Sequence, residues 1–213
     1  MPGRPYPPRP FRLVYVCTGN ICRSPFAEVL TRHLVDERLG SVLGSWIVVS
    51  SAGVQAVVGA PMHDLTRDEL SPWRLDGRPA RRFRSQQLVA SMVEQADLVL
   101  GMSRRHRGII AALAPTAMAR TFGLLEFARL AEAVEPLRLP ADPLARAFAL
   151  PGQVAAMRGV VTIPPEGHSV PDPMGGEPAA HHDAATMIAD AVARVVDIVV
   201  PGNLPSPVTH RSR

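Results

Sequence analysis

Residues 11–25 restrict the folds open to this chain more than any other stretch. The run Phe11 to Val16 has the apolar, β-branched composition of a buried strand, and Ser24-Pro25 offers a helix N-cap followed by proline in the first turn. Cys17 then stands at a strand's end and Arg23 at a helix's start. The five residues between them must turn tightly, and Gly19 and Asn20 tolerate the left-handed backbone that such a turn requires. Several backbone N–H groups then point inward at a helix N-terminus, which makes a nest for an anion of phosphate size. Thr18, Gly19, Asn20, Ile21, Cys22, Arg23 and Ser24 are its candidate lining.

The same field stabilises negative charge on the Cys17 sulfur, so this thiol can act as a nucleophile without a neighbouring histidine. Arg23 presents a rigid planar fork to two phosphate oxygens, and the Ser24 hydroxyl can donate to the sulfur. Nucleophile, nest and clamp within one strand-to-helix turn imply a cysteine-dependent phosphatase. Cys22 adds a regulatory reading. Across one turn of loop the two thiols come within disulfide range, which makes Cys22 a redox partner for Cys17 and a thiol reductant a partner for the protein.

With Val16 through Pro25 read this way, the chain resembles the low-molecular-weight protein tyrosine phosphatases and the related arsenate reductases. Ser51-Ala52-Gly53 after a second strand, Asp97-Leu98-Val99-Leu100-Gly101-Met102 as a third, and Asp172-Pro173 before the last helix extend the resemblance over most of residues 11–200. It implies one doubly wound α/β domain, a four-stranded parallel sheet flanked by helices with the phosphate loop after the first strand. It also implies that Cys17 is the nucleophile, Arg23 the clamp, Asn20 and Ser24 loop-ordering residues, and Asp172 the general acid. A leaving phenolate needs a proton as its P–O bond breaks, and the same carboxylate can then activate water against the phosphocysteine. Asp142-Pro143 repeats the dipeptide, but Asp172 has the family's position before the C-terminal helix. Two features depart from the family pattern. Met174 and Val57, within Val54 to Val58, stand where aromatic residues usually flank a phosphotyrosine ring, and Phe83 to Leu88 lacks the histidine that often braces the loop.

The coarse expectation is strand 11–16, helix 24–39, strand 46–51, helix 85–95, strand 97–102, helix 103–113, strand 119–122, helix 124–134 and helix 180–199. Residues 1–10 and 201–213 read as flexible tails. Residues 135–169 are proline-rich around a short helical pattern near Leu144 to Met157, and read as an inserted flap that shapes substrate access beside the acid loop. At 213 residues and 46% apolar composition the chain can bury a full core, and two cysteines exclude a secreted disulfide scaffold, so a cytoplasmic enzyme is expected. The helix around Ala184 to Val200 carries a charged stripe at Asp183, Asp190, Arg194 and Asp197, which excludes a membrane span. All 23 basic residues are arginine, yet no aromatic interleaving accompanies them, so a surface that attracts phosphorylated substrates is expected rather than a nucleic-acid interface. His181-His182-Asp183 is read as a cap on the last helix rather than a metal site, because adjacent helical residues diverge by about 100°. No cofactor or metal is assigned. The substrate expected is a phosphorylated protein, first of all phosphotyrosyl protein, or a small phosphomonoester. The rival readings are a thiol-coupled arsenate reductase, which lacks further relay cysteines here, and a non-catalytic phospho-binding module.

Overall fold

The computed structural model describes residues 9–164 and 168–201. Strands β1 (Phe11–Cys17), β2 (Ile47–Gly53), β3 (Leu98–Gly101) and β4 (Thr121–Gly123) pair in parallel in the order β2-β1-β3-β4. Helices α1 (Arg23–Gly44), α2 (Asp64–Asp68), α3 (Arg78–Arg81), α4 (Ala90–Gln95), α5 (Arg104–Leu113), α6 (Leu124–Glu132), α7 (Pro143–Ala156) and α8 (Pro178–Val199) connect and cover the sheet. The expected tails at 1–8 and 202–213 lie outside the described residues.

β1 runs through the middle of the sheet, so both its faces are buried and alternate side chains feed two cores. Leu13, Tyr15 and Cys17 join Phe26 and Leu30 of α1, Phe127 of α6, Leu150 of α7 and Ile188 and Val192 of α8. Val14 and Val16 join Val93 of α4 and Ile110 of α5 on the opposite face. This is the doubly wound arrangement expected. Phe26, Phe122 and Phe127 are fully buried, and each contributes about 1.5–3 kcal/mol through burial. Register brings Cys17 level with Gly53 of β2, Val16 level with Gly101 of β3, and Gly101 level with Gly123 of β4. The carboxyl ends of the four strands therefore form one rim, where an open α/β sheet places its ligand.

Several boundaries differ from the sequence expectation for identifiable reasons. α1 continues past residue 39 to Gly44, with one break at Gly40, whose φ of 73° suits glycine. The helix expected over 85–95 begins only at Ala90. Residues 86–88 are extended because Gly53 N donates to Gln86 O and Leu88 N donates to Gly53 O, which lays this segment against the end of β2. α2 and α3, between 60 and 82, are too short to show a helical period in sequence.

Within residues 135–169, α7 departs from the flap reading. Asp142 caps α7, its Oδ1 accepting from Leu144 N at 3.1 Å and Ala145 N at 2.9 Å, with Pro143 in the first turn. Leu144, Ala147, Leu150 and Val154 are buried, and Ala147, Leu150 and Pro151 face Phe11 and Leu13 of β1 and Val195 and Val196 of α8. Phe11 is at the opposite end of β1 from Cys17, so α7 is a core element at the far end of the sheet from the Cys17 loop. No helix among the described residues is long and apolar enough to cross a membrane.

Candidate active site

The loop after β1 is shaped by its neighbour. Val54 N, Gln55 N, Val57 N and His63 N donate to the carbonyls of Cys17, Thr18, Gly19 and Ile21 at 2.8–3.1 Å, and Ser85 Oγ donates to Gly19 O. Carbonyls drawn outward leave amides facing inward, and Asn20 N points at Cys17 Sγ at 3.3 Å. Asn20 has φ 55°, the left-handed conformation its residue type tolerates. Gly53 permits the close approach of the two loops, because a Cβ there would lie 2.5 Å from Thr18 O.

Side chains fix this backbone. Asn20 is fully buried; its Nδ2 donates to Ser24 Oγ at 2.9 Å and Ser51 Oγ at 2.8 Å, and its Oδ1 accepts from Gln86 N at 2.9 Å. Ser24 Oγ, already an acceptor from Asn20, can spend its own hydrogen on Cys17 Sγ, 2.9 Å away. Ser24 is thus not the helix cap. The N-cap is Cys22, two residues earlier in the chain, and α1 starts at Arg23. Ser51 donates to Glu28 Oε2 at 2.7 Å, and Arg32 pairs with Glu28 Oε1 at 2.9 Å. Burial raises the Glu28 carboxyl, against the opposing pull of Arg32 and Ser51. On the other side Thr18 Oγ1 meets His106 Nε2 at 3.0 Å, and His106 Nδ1 meets Ser103 Oγ at 2.9 Å. Burial, then the Arg23 charge, lowers His106 to about 4, so its ring is neutral near pH 7.

Arg23 is buried at the start of α1. Its Nη2 pairs with Asp172 Oδ2 at 2.5 Å and its Nη1 donates to Val170 O at 3.1 Å, while its Nε is buried without a hydrogen-bond partner among the described residues. An anion's oxygen would satisfy that Nε. The Asp172 segment is held in place by Val170 N, which donates to Met102 O just beyond β3. Of the two Asp-Pro pairs, Asp172 meets Arg23, whereas Asp142 is the cap of α7. Val57 and Met174 are 53% and 51% exposed, which leaves both free to meet a ligand. Cys17 and Cys22 are both free and buried. Cys22 Sγ donates to Met174 Sδ at 3.4 Å, and burial pushes its thiol up to about 11.

Sequence reasoning missed Glu28, Ser85, Gln86, His63 and His106. Glu28 lies in α1 itself but its partner Ser51 does not, the others come from distant segments, and only the loop at 83–88 carries a sequence signal, the missing histidine. Gln86 supplies part of that brace, with Nε2 donating to Ser51 O at 2.9 Å as well as N donating to Asn20. His181 and His182 do not cap α8, whose N-cap is Glu177. His182 Nδ1 faces outward to Glu69 at 2.9 Å, while His181 turns inward to Thr66 Oγ1 at 2.8 Å.

A cysteine at the tip of the first strand, inside inward amides and beside a buried arginine paired to a carboxylate, defines a phosphate-handling cysteine site. The family model described as "Low molecular weight phosphotyrosine protein phosphatase" matches residues 12–148, and the chain belongs to that family. It is accordingly a hydrolase and a cysteine-dependent phosphatase. The low molecular weight protein-tyrosine-phosphatase Etp of Escherichia coli K12 is 31% identical over 140 residues, 65% of this chain and 85% of that protein. The protein-arginine-phosphatase of Geobacillus stearothermophilus is 34% identical over 118 residues, 55% of this chain and 72% of that protein. Among solved structures, the YwlE arginine phosphatase from Geobacillus stearothermophilus superposes with a TM-score of 0.60 at 26% identity, covering 88% of this chain and 92% of that one. Vibrio vulnificus Wzb in complex with benzylphosphonate shares the fold, with a TM-score of 0.59 at 20% identity over 88% of this chain and 97% of that one.

Proposed function

We propose that this protein hydrolyses protein phosphotyrosine in the cytoplasm through a phosphocysteine on Cys17, with Arg23 as clamp and Asp172 as general acid and base. The meeting of Asp172 with Arg23 beside the Cys17 loop carries the reading. In the first step the Cys17 sulfur attacks phosphorus in line while the loop amides and Arg23 take up charge on the equatorial oxygens. Asp172 delivers its proton to the leaving oxygen. In the second step Asp172 removes a proton from water as it attacks the phosphocysteine.

The relatives include phosphatases named for tyrosine and for arginine, and the rim favours the former. Val57 and Met174 offer apolar contact to a ring, worth about 0.3–1.5 kcal/mol for a thioether against an aromatic edge. Redox protection of Cys17 belongs to the same proposal: a peroxide converts it to the sulfenic acid, the Cys22 thiol condenses with loss of water, and a thiol reductant restores both. Mass spectrometry after mild peroxide should then show a Cys17–Cys22 bond, and sulfinic Cys17 beside free Cys22 would count against it.

The test of the main reading compares kcat/KM for phosphotyrosyl and phosphoarginyl peptides, with para-nitrophenyl phosphate as the generic ester. Cys17→Ser should abolish turnover, and Asp172→Asn should slow phosphotyrosine by roughly 10²- to 10⁴-fold while sparing esters with good leaving groups. Faster turnover of phosphoarginine, or an unaffected Asp172→Asn enzyme, would overturn the substrate or the acid respectively.

A further inference from the structure

Three donors from distant parts of the chain meet beside the phosphate loop. Cys22 closes that loop, His63 precedes α2, His181 lies in the first turns of α8, and one donor atom from each lies within 4.8 Å of the others. The imidazoles stack with centroids 4.6 Å apart and planes 21° from parallel. Thr66 holds His181 Nδ1, which leaves Nε2 as the ring's other nitrogen. That Nε2 and His63 Nδ1 are both buried without a hydrogen-bond partner among the described residues, and His181 and Cys22 are 2% and 3% exposed. Ring nitrogens withdrawn from water are normally paired, so two unpaired ones beside a buried thiol call for an occupant.

One thiolate and two imidazoles form the borderline-soft donor set that zinc takes, and three protein ligands leave a fourth position open. With Zn–S about 2.3 Å and Zn–N about 2.0–2.1 Å, tetrahedral donors lie about 3.3–3.6 Å apart. The widest donor separation, within 4.8 Å, therefore has to shorten by at most about 1.2–1.5 Å. His63, the more exposed ring, must also turn out of the stack so that both lone pairs face one point. We infer that Cys22, His63 and His181 form a zinc(II) site beside the phosphate loop, and that its occupancy slows turnover. On binding, the Cys22 thiol proton leaves to solvent and an S–Zn bond replaces the S–H bond. The metal's charge then competes with Arg23 for the Asp172 carboxylate, whose segment already touches Cys22 through Met174. The binding half of this inference is independent of the proposed function, and the slowing half rests on it.

Cobalt(II) titration of the full-length Cys17→Ser protein tests the site with only one thiol present. One equivalent should produce a thiolate-to-cobalt charge-transfer band with tetrahedral visible bands, and zinc should abolish both by displacement. Cys22→Ser should show no such band, and His63→Gln and His181→Gln should each bind cobalt about 100-fold more weakly while melting near the metal-free wild type. In the active enzyme, zinc should inhibit at concentrations that rise by about the same factor in His63→Gln. A band that survives Cys22→Ser, no band at one equivalent, or histidine variants that bind as tightly would overturn the site. Zinc binding as described in a protein that hydrolyses no phosphoester would leave the site standing and refute the function instead.

Discussion

Replacing Asn20 separates what its side chain contributes from what its backbone costs. The residue donates two hydrogen bonds, accepts one, is fully buried and sits at φ 55°. At about 1 kcal/mol net for each bond, Asn20→Gly should lose about 3 kcal/mol. Asn20→Ala loses the same bonds and adds about 1 kcal/mol because its Cβ meets the left-handed backbone without a polar group to compensate, for a total of about 4 kcal/mol. Either loss is a large share of the roughly 5–15 kcal/mol that holds a domain folded. Catalysis should respond differently. Both variants release Ser24 and the loop alike, so kcat for para-nitrophenyl phosphate should fall by a similar factor of about 10 to 100 in each. Urea unfolding followed by circular dichroism, set beside steady-state kinetics, reads the two effects separately. Equal stability of the glycine and alanine variants would refute the backbone argument. Unchanged kcat in both would refute the claim that Asn20 orders the loop.

Gly53→Ala should drive a methyl group into Thr18 O and push the two loops apart, costing about 1–3 kcal/mol in denaturant unfolding and raising KM for phosphoesters; a neutral result would mean that the loops do not meet as described. His106 gives a pH signature. Its folded value of about 4 lies below the usual 6.5, so between those limits the unfolded chain binds more protons and stability falls as pH falls, by about 3 kcal/mol in all. Unfolding curves of His106→Gln and wild type should therefore converge in stability from pH 7 to pH 4, whereas a constant gap would contradict the neutral, buried ring. Asp142→Ala should cost about 1 kcal/mol through its lost cap on α7 and leave turnover intact; a slowed enzyme would reopen the choice of acid.

The first strand, its loop and α1 were legible in the sequence because their signals are local. A β-branched run, glycine and asparagine in the turn, and the paired Cys17 and Arg23 all lie within one βα unit. Other strands, and α5, α6 and α8, match their expected bounds to within about two residues through period and turn chemistry. α7 was misread because its prolines, Pro143 and Pro151, suggested an irregular excursion, although Leu144, Ala147, Leu150 and Val154 already mark a helical face. Pro143 stands in a first turn, where proline is tolerated. The supporting residues of the site were illegible for a different reason. His106, Gln86 and Glu28 act only once α5, the 85–88 segment and α1 converge, and no local pattern announces a partner 88 residues away, as Thr18 is from His106. His181 and His182 look equivalent in sequence, yet the helix turns one inward and the other to Glu69.

The pairing of Arg23 with Asp172 gives the resting loop a built-in competitor for its own guanidinium. A tethered carboxylate occupies part of the arginine's fork at an effective concentration no small ion in solution matches. Under the proposed mechanism, weakly charged anions displace it with little to offer in return, while a doubly charged phosphoester, engaging the loop amides and the Arg23 Nε together, frees the carboxylate to face the leaving oxygen in the same movement. Selectivity among anions and readiness of the acid thus become one equilibrium, set by how strongly the newcomer holds Arg23.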